Sequence, residues 1–106
     1  NPEVSVIELG TFKVMAIFRT GKSYMIVGGR VESGKLKKDA KIRVRRGAEI
    51  IGVGKLPQLQ TAKQEVNEVA EGTECGLKFE GKLELEVGDV LEVYKEESKE
   101  KKFILS

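Results

Sequence analysis

The chain contains no histidine and only one cysteine, Cys75, among its 106 residues. Without histidine the usual general base near neutral pH is missing, and only carboxylates, lysines and tyrosines remain for acid–base work. A zinc cluster and a Cys–His nucleophile pair are excluded with it. A lone cysteine cannot close an internal disulfide, which fits a reducing, cytoplasmic setting. No apolar stretch approaches the length of a membrane span, so a soluble chain outside the membrane is expected. No Gly-x-x-x-x-Gly-Lys-Ser/Thr run exists, and no helix follows a glycine-rich loop to aim its N-terminus at an anion, which argues against nucleotide binding. Internal repeats and low-complexity tracts are also lacking. A non-enzymatic domain with no metal and no cofactor is expected, and a monomer, because no long uncharged apolar strand advertises an open edge. The first residues, Asn1-Pro2-Glu3-Val4, have no initiator methionine, basic leader or apolar segment. They read as neither a signal peptide nor a natural start, so a piece of a longer protein is expected.

What is present describes one globular domain: 40% apolar and 34% charged residues over 106 positions. The net charge of +2 hides a division along the chain. Residues 1 to 63 carry thirteen Lys and Arg against five acids, and residues 64 to 106 carry six against twelve. A basic face assembled from the first half would attract phosphates regardless of sequence, whereas in a compact barrel the two halves interleave into an ordinary solvated surface.

Alternation with a period of two dominates the pattern. Phe12, Val14, Ala16 and Phe18 share one face of a predicted strand, followed by a turn at Thr20-Gly21-Lys22-Ser23. Tyr24 to Val31 is a second apolar run whose paired glycines, Gly28 and Gly29, suggest a bulge or a close approach of another backbone or a ligand. Lys41 to Arg46 alternates charge with aliphatic side chains, which points Ile42 and Val44 inward and Lys41, Arg43 and Arg45 outward. Gly47-Ala48 turns this strand into Glu49 to Leu56, a predicted hairpin. Gln58 to Ala70 is ambiguous between helix and strand and is read as loop with a short strand. Glu74 to Phe79 and Asp89 to Tyr94 supply the last strands. The expected fold is all-β: a small, closed, antiparallel barrel of six or so strands over residues 1–95. The almost wholly charged segment at 96–106 is expected to be a frayed tail, with Phe103-Ile104-Leu105 left open between packing back and continuing a chain end.

The outward cations Lys41, Arg43, Arg45 and Lys55 are candidate phosphate ligands, since Arg side chains one pleat apart can each hydrogen-bond a backbone phosphate. Charged strands commonly guard sheet edges, and edge protection is the preferred reading from these residues alone. Phe12, Phe18 and Phe79 fall at alternating apolar positions, so core packing is expected of them over base stacking, which needs exposed rings. Gly76 beside Cys75 would let an adenine or ribose approach the backbone closely. The plainer reading is a glycine in a curved strand next to a small apolar cysteine.

The run Glu71-Gly72-Thr73-Glu74-Cys75-Gly76-Leu77, followed by Val87-Gly88-Asp89-Val90-Leu91-Glu92, resembles the Gly-Tyr-Glu-Cys-Gly and Gly-Asp-x-Ile-Glu signatures of bacterial translation initiation factor 2. Val14 to Arg19, Ile26 to Gly29, Gly34-Lys35-Leu36, Arg43 to Arg46 and Gly54-Lys55-Leu56 fall in that family's order, from about residue 10 to residue 80. The resemblance is to the C-terminal domain of that factor. It implies a barrel like the second domain of elongation factor Tu, with the formylmethionyl acceptor end of initiator tRNA as partner and the ribosome reached through the parent factor. The GTPase activity would lie in an upstream domain. The implied tRNA-end residues are Glu74, Cys75 and Gly76, with Gly28, Gly29 and Lys63 beside them. Gly29 stands where the family has a second cysteine, Gln60-Thr61-Ala62 where it has a Lys-Arg-aromatic triplet, and Thr73 where it has a tyrosine. The alternative function is a divergent interdomain or protein-interaction barrel of a translational GTPase that does not touch tRNA.

Overall fold

The computed structural model describes residues 4–98, and all of its regular structure is strand. In chain order the elements are β1 (Val4–Thr20), β2 (Tyr24–Lys37), β3 (Ala40–Arg46), β4 (Glu49–Thr61), β5 (Gln64–Val66), β6 (Glu68–Ala70), β7 (Glu74–Glu80) and β8 (Val90–Ser98). Six of them close a ring in the order β1-β8-β3-β4-β7-β2, and β2 pairs back onto β1. The pairings are antiparallel, with β5 hanging on β4 and β6 on β2. Closure leaves no open edge in the ring, so the main-chain donors and acceptors that an edge strand would present are paired.

Side chains from every strand of the ring fill its interior. Phe12, Val14, Ile42, Val44, Leu77 and Phe79 lie at or near zero exposure. The alternation predicted for the basic strand holds: Ile42 and Val44 face inward while Lys41 lies on the outside. The β3–β4 hairpin turns at Gly47 in a left-handed conformation, as its sequence suggested. Between Leu56 and Ala70 the chain forms no helix. β4 runs on to Thr61, reverses through a two-residue turn at Ala62-Lys63 with both φ angles positive (49° and 67°), and returns as β5. Leu59 and Val69, spaced as a helical face would need, are instead buried from two different strands.

Phe18, expected in the core with Phe12 and Phe79, is instead 68% exposed. The β1–β2 register shifts between Val14 and Ala16 and again between Ile17 and Arg19, so Met15 and Phe18 are extra residues in β1. One inserted residue reverses the faces of everything after it, and the alternation that buries Phe12 and Val14 therefore turns Phe18 outward. β8 runs past residue 95, the end that charge alone suggests for the barrel. Glu96 and Glu97 pair with Val6 and Ser5 of β1, so the barrel strands continue to Ser98 as a two-stranded ribbon. Residues 99–106, including Phe103-Ile104-Leu105, lie outside the described residues.

The divided charge comes together in space, because basic β3 lies beside acidic β8. Lys41 Nζ is 2.6 Å from Glu96, Arg43 pairs with Glu8 and Glu92, and Arg45 Nε is 3.0 Å from Glu92. Arg46 grips the carboxylate of Asp89 with two donors at 2.9 Å, and Asp89 also accepts the Glu86 amide at 2.8 Å. Asp89 is a buried charged side chain, and the Arg46 hydrogen bonds hold its carboxyl below the usual range. This clamp ties β3 to the turn that enters β8. The same turn is stitched to β1 by Val14 N donating to Asp89 O and Gly88 N donating to Val14 O.

Candidate functional site

The principal concavity lies on the outer face of the barrel where β1, β2, β7 and β4 run side by side. Its floor can be read from the strand registers: Ala16 pairs with Gly28, Gly28 with Gly76, and Gly76 with Gln60. Three of those four neighbours have a methyl group or nothing as a side chain, so the sheet surface is bare across three strands. The resulting groove has a volume of about 650 Å3 and a predominantly apolar lining. That volume is within the range of small-ligand sites, roughly 300–1,000 Å3.

The glycines in the floor do different work. A Cβ on Gly29 would collide with the Lys13 carbonyl and approach the Phe12 ring to 2.9 Å, so the β1 backbone lies hard against β2 at this point. Gly29 is therefore a packing requirement, and the cysteine that the family resemblance puts at this position has no room. A Cβ on Gly28 would come within 2.7 and 2.8 Å of the tip of the Phe18 ring, so the absence of a side chain there makes the seat for that ring. A Cβ on Gly76 would meet only the Val27 carbonyl at 3.6 Å, an ordinary contact. Gly76 leaves floor open without being needed for packing.

Met15 and Phe18 from the β1 bulges form one wall, and Ala62-Lys63 from the β4–β5 turn forms the other. Glu74 and Lys63 supply one carboxylate and one ammonium to the lining, both on exposed residues. Cys75 pairs with Gly29 and is 8% exposed, and burial pushes its thiol up to about 11. A thiol so raised is protonated near neutrality and contributes a small apolar surface, not a nucleophile. Among the described residues no group of three or more metal-ligating side chains is assembled.

All six residues named for a tRNA end, Glu74, Cys75, Gly76, Gly28, Gly29 and Lys63, line this one groove. The cations named as phosphate ligands do not join them. Lys41, Arg43 and Arg45 are engaged by acids of β1 and β8, and Arg43 also stacks on Tyr94 at 4.5 Å. Lys55 sits in β4 between Lys41 and Glu80. Sequence reasoning missed Met15, Ala16, Phe18 and Ile26 as lining residues. A signal was available: Val14-Met15-Ala16-Ile17-Phe18 is apolar at five consecutive positions, more than one buried face of a strand can absorb.

Comparison with known proteins accords with the fold and the motifs. A family model described as elongation factor Tu domain 2 matches residues 25–92. Translation initiation factor IF-2 of Synechococcus sp. (strain CC9311) is 41% identical over 95 residues, covering 90% of this chain and 8% of that protein. The factor of the same name from Chlorobaculum tepidum is 37% identical over 102 residues, covering 96% of this chain and 11% of that protein. The chain thus spans about a tenth of the length of these curated relatives. Among solved structures, the apo form of translation elongation factor SelB from Methanococcus maripaludis superposes with a TM-score of 0.65 at 18% identity, over 83% of this chain and 19% of that one. At that identity the likeness is one of fold. The chain belongs to the elongation factor Tu domain 2 family and is a β-barrel domain of a translation factor, homologous over nearly its whole length to a segment of translation initiation factor IF-2.

Proposed function

We propose that this barrel holds the formylmethionyl acceptor end of initiator tRNA in the groove between Phe18 and Lys63, as the tRNA-binding domain of a translation initiation factor 2. The observation that carries the reading is convergence. Glu74, Cys75, Gly76, Gly28, Gly29 and Lys63 come from β2, β7 and the β4–β5 turn, and they meet in one groove. Its bare floor admits a flat group against the sheet. Its apolar lining accepts a methionine side chain and a formamide, which is neutral and can be hydrogen-bonded, whereas seating a free ammonium there costs its desolvation. Lys63 is the cation placed to meet a phosphate. The domain itself makes and breaks no bond, and the GTPase activity resides elsewhere in the parent factor, through which the ribosome is reached. It acts as a monomeric unit in the cytoplasm.

A specific observation favours the second reading, a barrel that contacts other domains or proteins and not tRNA. Lys41, Arg43 and Arg45 are paired with Glu96, Glu8 and Glu92, so the most basic strand has little free charge to offer a phosphate backbone. An NMR titration of the domain with formylmethionyl initiator tRNA and with its unformylated counterpart separates the two. Formyl-dependent shifts at the amides of Gly28, Gly29, Cys75 and Gly76 are the expected result. No shifts with either tRNA would replace tRNA recognition with the protein-interaction reading, and equal shifts with both would remove formyl discrimination from the proposal.

A further inference from the structure

We propose that the end of the barrel around Tyr24 is a second RNA contact, where a cluster of unpaired cations takes the backbone phosphates of a double-helical RNA. This face differs from the groove in its residues and in its ligand. Ile26 and Tyr24 alternate with the buried Met25 and Val27, and Lys78 lies between the buried Leu77 and Phe79, so all three point outward. The strand registers place Arg19, Ile26 and Lys78 in one row across β1, β2 and β7. Tyr24, Glu80 and Lys55 form the next outward row across β2, β7 and β4. Strands lie about 4.8 Å apart and outward residues of one strand about 6.6 Å apart, so the two rows make a single compact surface. Lys22 and Lys82 come from the flanking turns and border the same depression as Tyr24.

The two turns are fixed to the sheet, because Gly21 N donates to Tyr24 O at 2.8 Å and Gly81 N to Ser23 O at 2.9 Å. The space a side chain would take at Gly21 is filled by the Tyr24 ring, which a Cβ there would meet at 2.1 Å. That ring carries Lys78 Nζ at 4.8 Å from its centroid, an arrangement that orients the ammonium without neutralising it. On β3 the cations Lys41, Arg43, Arg45 and Arg46 each have a carboxylate partner. Among the described residues, none of Arg19, Lys22, Lys55, Lys78 and Lys82 forms an ion pair. The acids on this face are the exposed Glu80 and Glu84, with Glu65 at its edge accepting from Gln58 at 2.7 Å, so positive charge is in excess. Lysine ammoniums meet phosphates as point charges without reading sequence, and double-helical RNA is recognised through its phosphates and shape. A protein partner would want apolar anchors at the centre of the face, and Tyr24 and Ile26 are both half-buried in the barrel wall.

The test follows the fluorescence anisotropy of a labelled blunt RNA duplex, which offers no single-stranded end, as the full chain is added over a salt series. Lys22→Ala combined with Lys82→Ala should weaken binding about tenfold at low salt and lower the slope of log affinity against log salt by about two, and Lys78→Ala should lower it by about one. On this duplex Lys63→Ala, in the groove, and Arg43→Ala, already ion-paired, should change neither quantity. A hairpin with a single-stranded 3′ tail separates the sources of the helix. Equal loss on both RNAs assigns the face to any RNA helix, and loss on the tailed hairpin alone assigns it to the stem of the strand whose end fills the groove. Parental affinity and slope in the double variant on both RNAs would overturn the phosphate face and leave the acceptor-end reading standing. Poly-glutamate that displaces the duplex as well as unlabelled duplex does would overturn the assignment to RNA in favour of an acidic protein.

Discussion

Alanine placed at Gly29 and at Gly76 should have opposite effects, although the two residues lie one position apart on adjoining strands. At Gly29 the new methyl meets the Lys13 carbonyl and the Phe12 ring, itself fully buried, so neither obstacle can swing aside. Overpacking a well-filled site costs about 1–3 kcal/mol, and a backbone obstacle places this variant at the upper end, about 3 kcal/mol. For a domain of this length that corresponds to a fall in Tm of roughly 15 °C. At Gly76 the methyl meets the Val27 carbonyl at 3.6 Å and otherwise open groove. Removing a glycine there restricts the unfolded chain and should leave stability unchanged or raise it by up to about 1 kcal/mol. Urea titrations of the two variants and the parent would read a midpoint shift at a common slope. A Gly29→Ala variant as stable as the parent, or a Gly76→Ala variant equally destabilised, would refute the assignment of one glycine to packing and the other to the groove.

Further expectations follow from the charges and the thiol. Because Arg46 lowers the Asp89 pKa, the clamp contributes fully above the unfolded carboxylate range, near pH 4, and is lost as pH falls through the folded value. Asp89→Asn should therefore cost about 2 kcal/mol at pH 7, with its stability curve meeting that of the parent in acid; curves that stay parallel to pH 2 would rule the clamp out. A Cys75 thiol raised from 9.0 to about 11 holds roughly a hundredfold less thiolate at pH 7.5 than an ordinary cysteine, so alkylation should be slow and climb steeply above pH 9. An inflection at the ordinary thiol value would contradict its burial. Lys63→Ala should lower the salt slope of RNA binding by about one, whereas Arg43→Ala and Arg45→Ala, already ion-paired, should leave it unchanged.

Strand count, the inward Ile42 and Val44, the Gly47 hairpin and a close backbone approach at the Gly28-Gly29 pair were all legible in the order of residues. Each depends on a period of two or on a local turn preference, and both are properties of short segments. The groove's lining was legible only in part. Glu74, Cys75 and Gly76 are contiguous and carry a motif, but their meeting with Gly28, Gly29 and Lys63 depends on which strands pair and in what register. Phe18 marks where local reasoning ends. Its alternation with Phe12 and Val14 points inward, and only the register shifts against β2 turn it to the groove, because a single inserted residue reverses every side chain beyond it. The ion pairing of the basic strand has a related origin: composition determined that residues 41 to 46 are cationic, but ring closure determined that Glu8, Glu92 and Glu96 lie beside them. Side-chain type and local period are written in the sequence, whereas the neighbours that neutralise a charge or uncover a ring are set by long-range pairing.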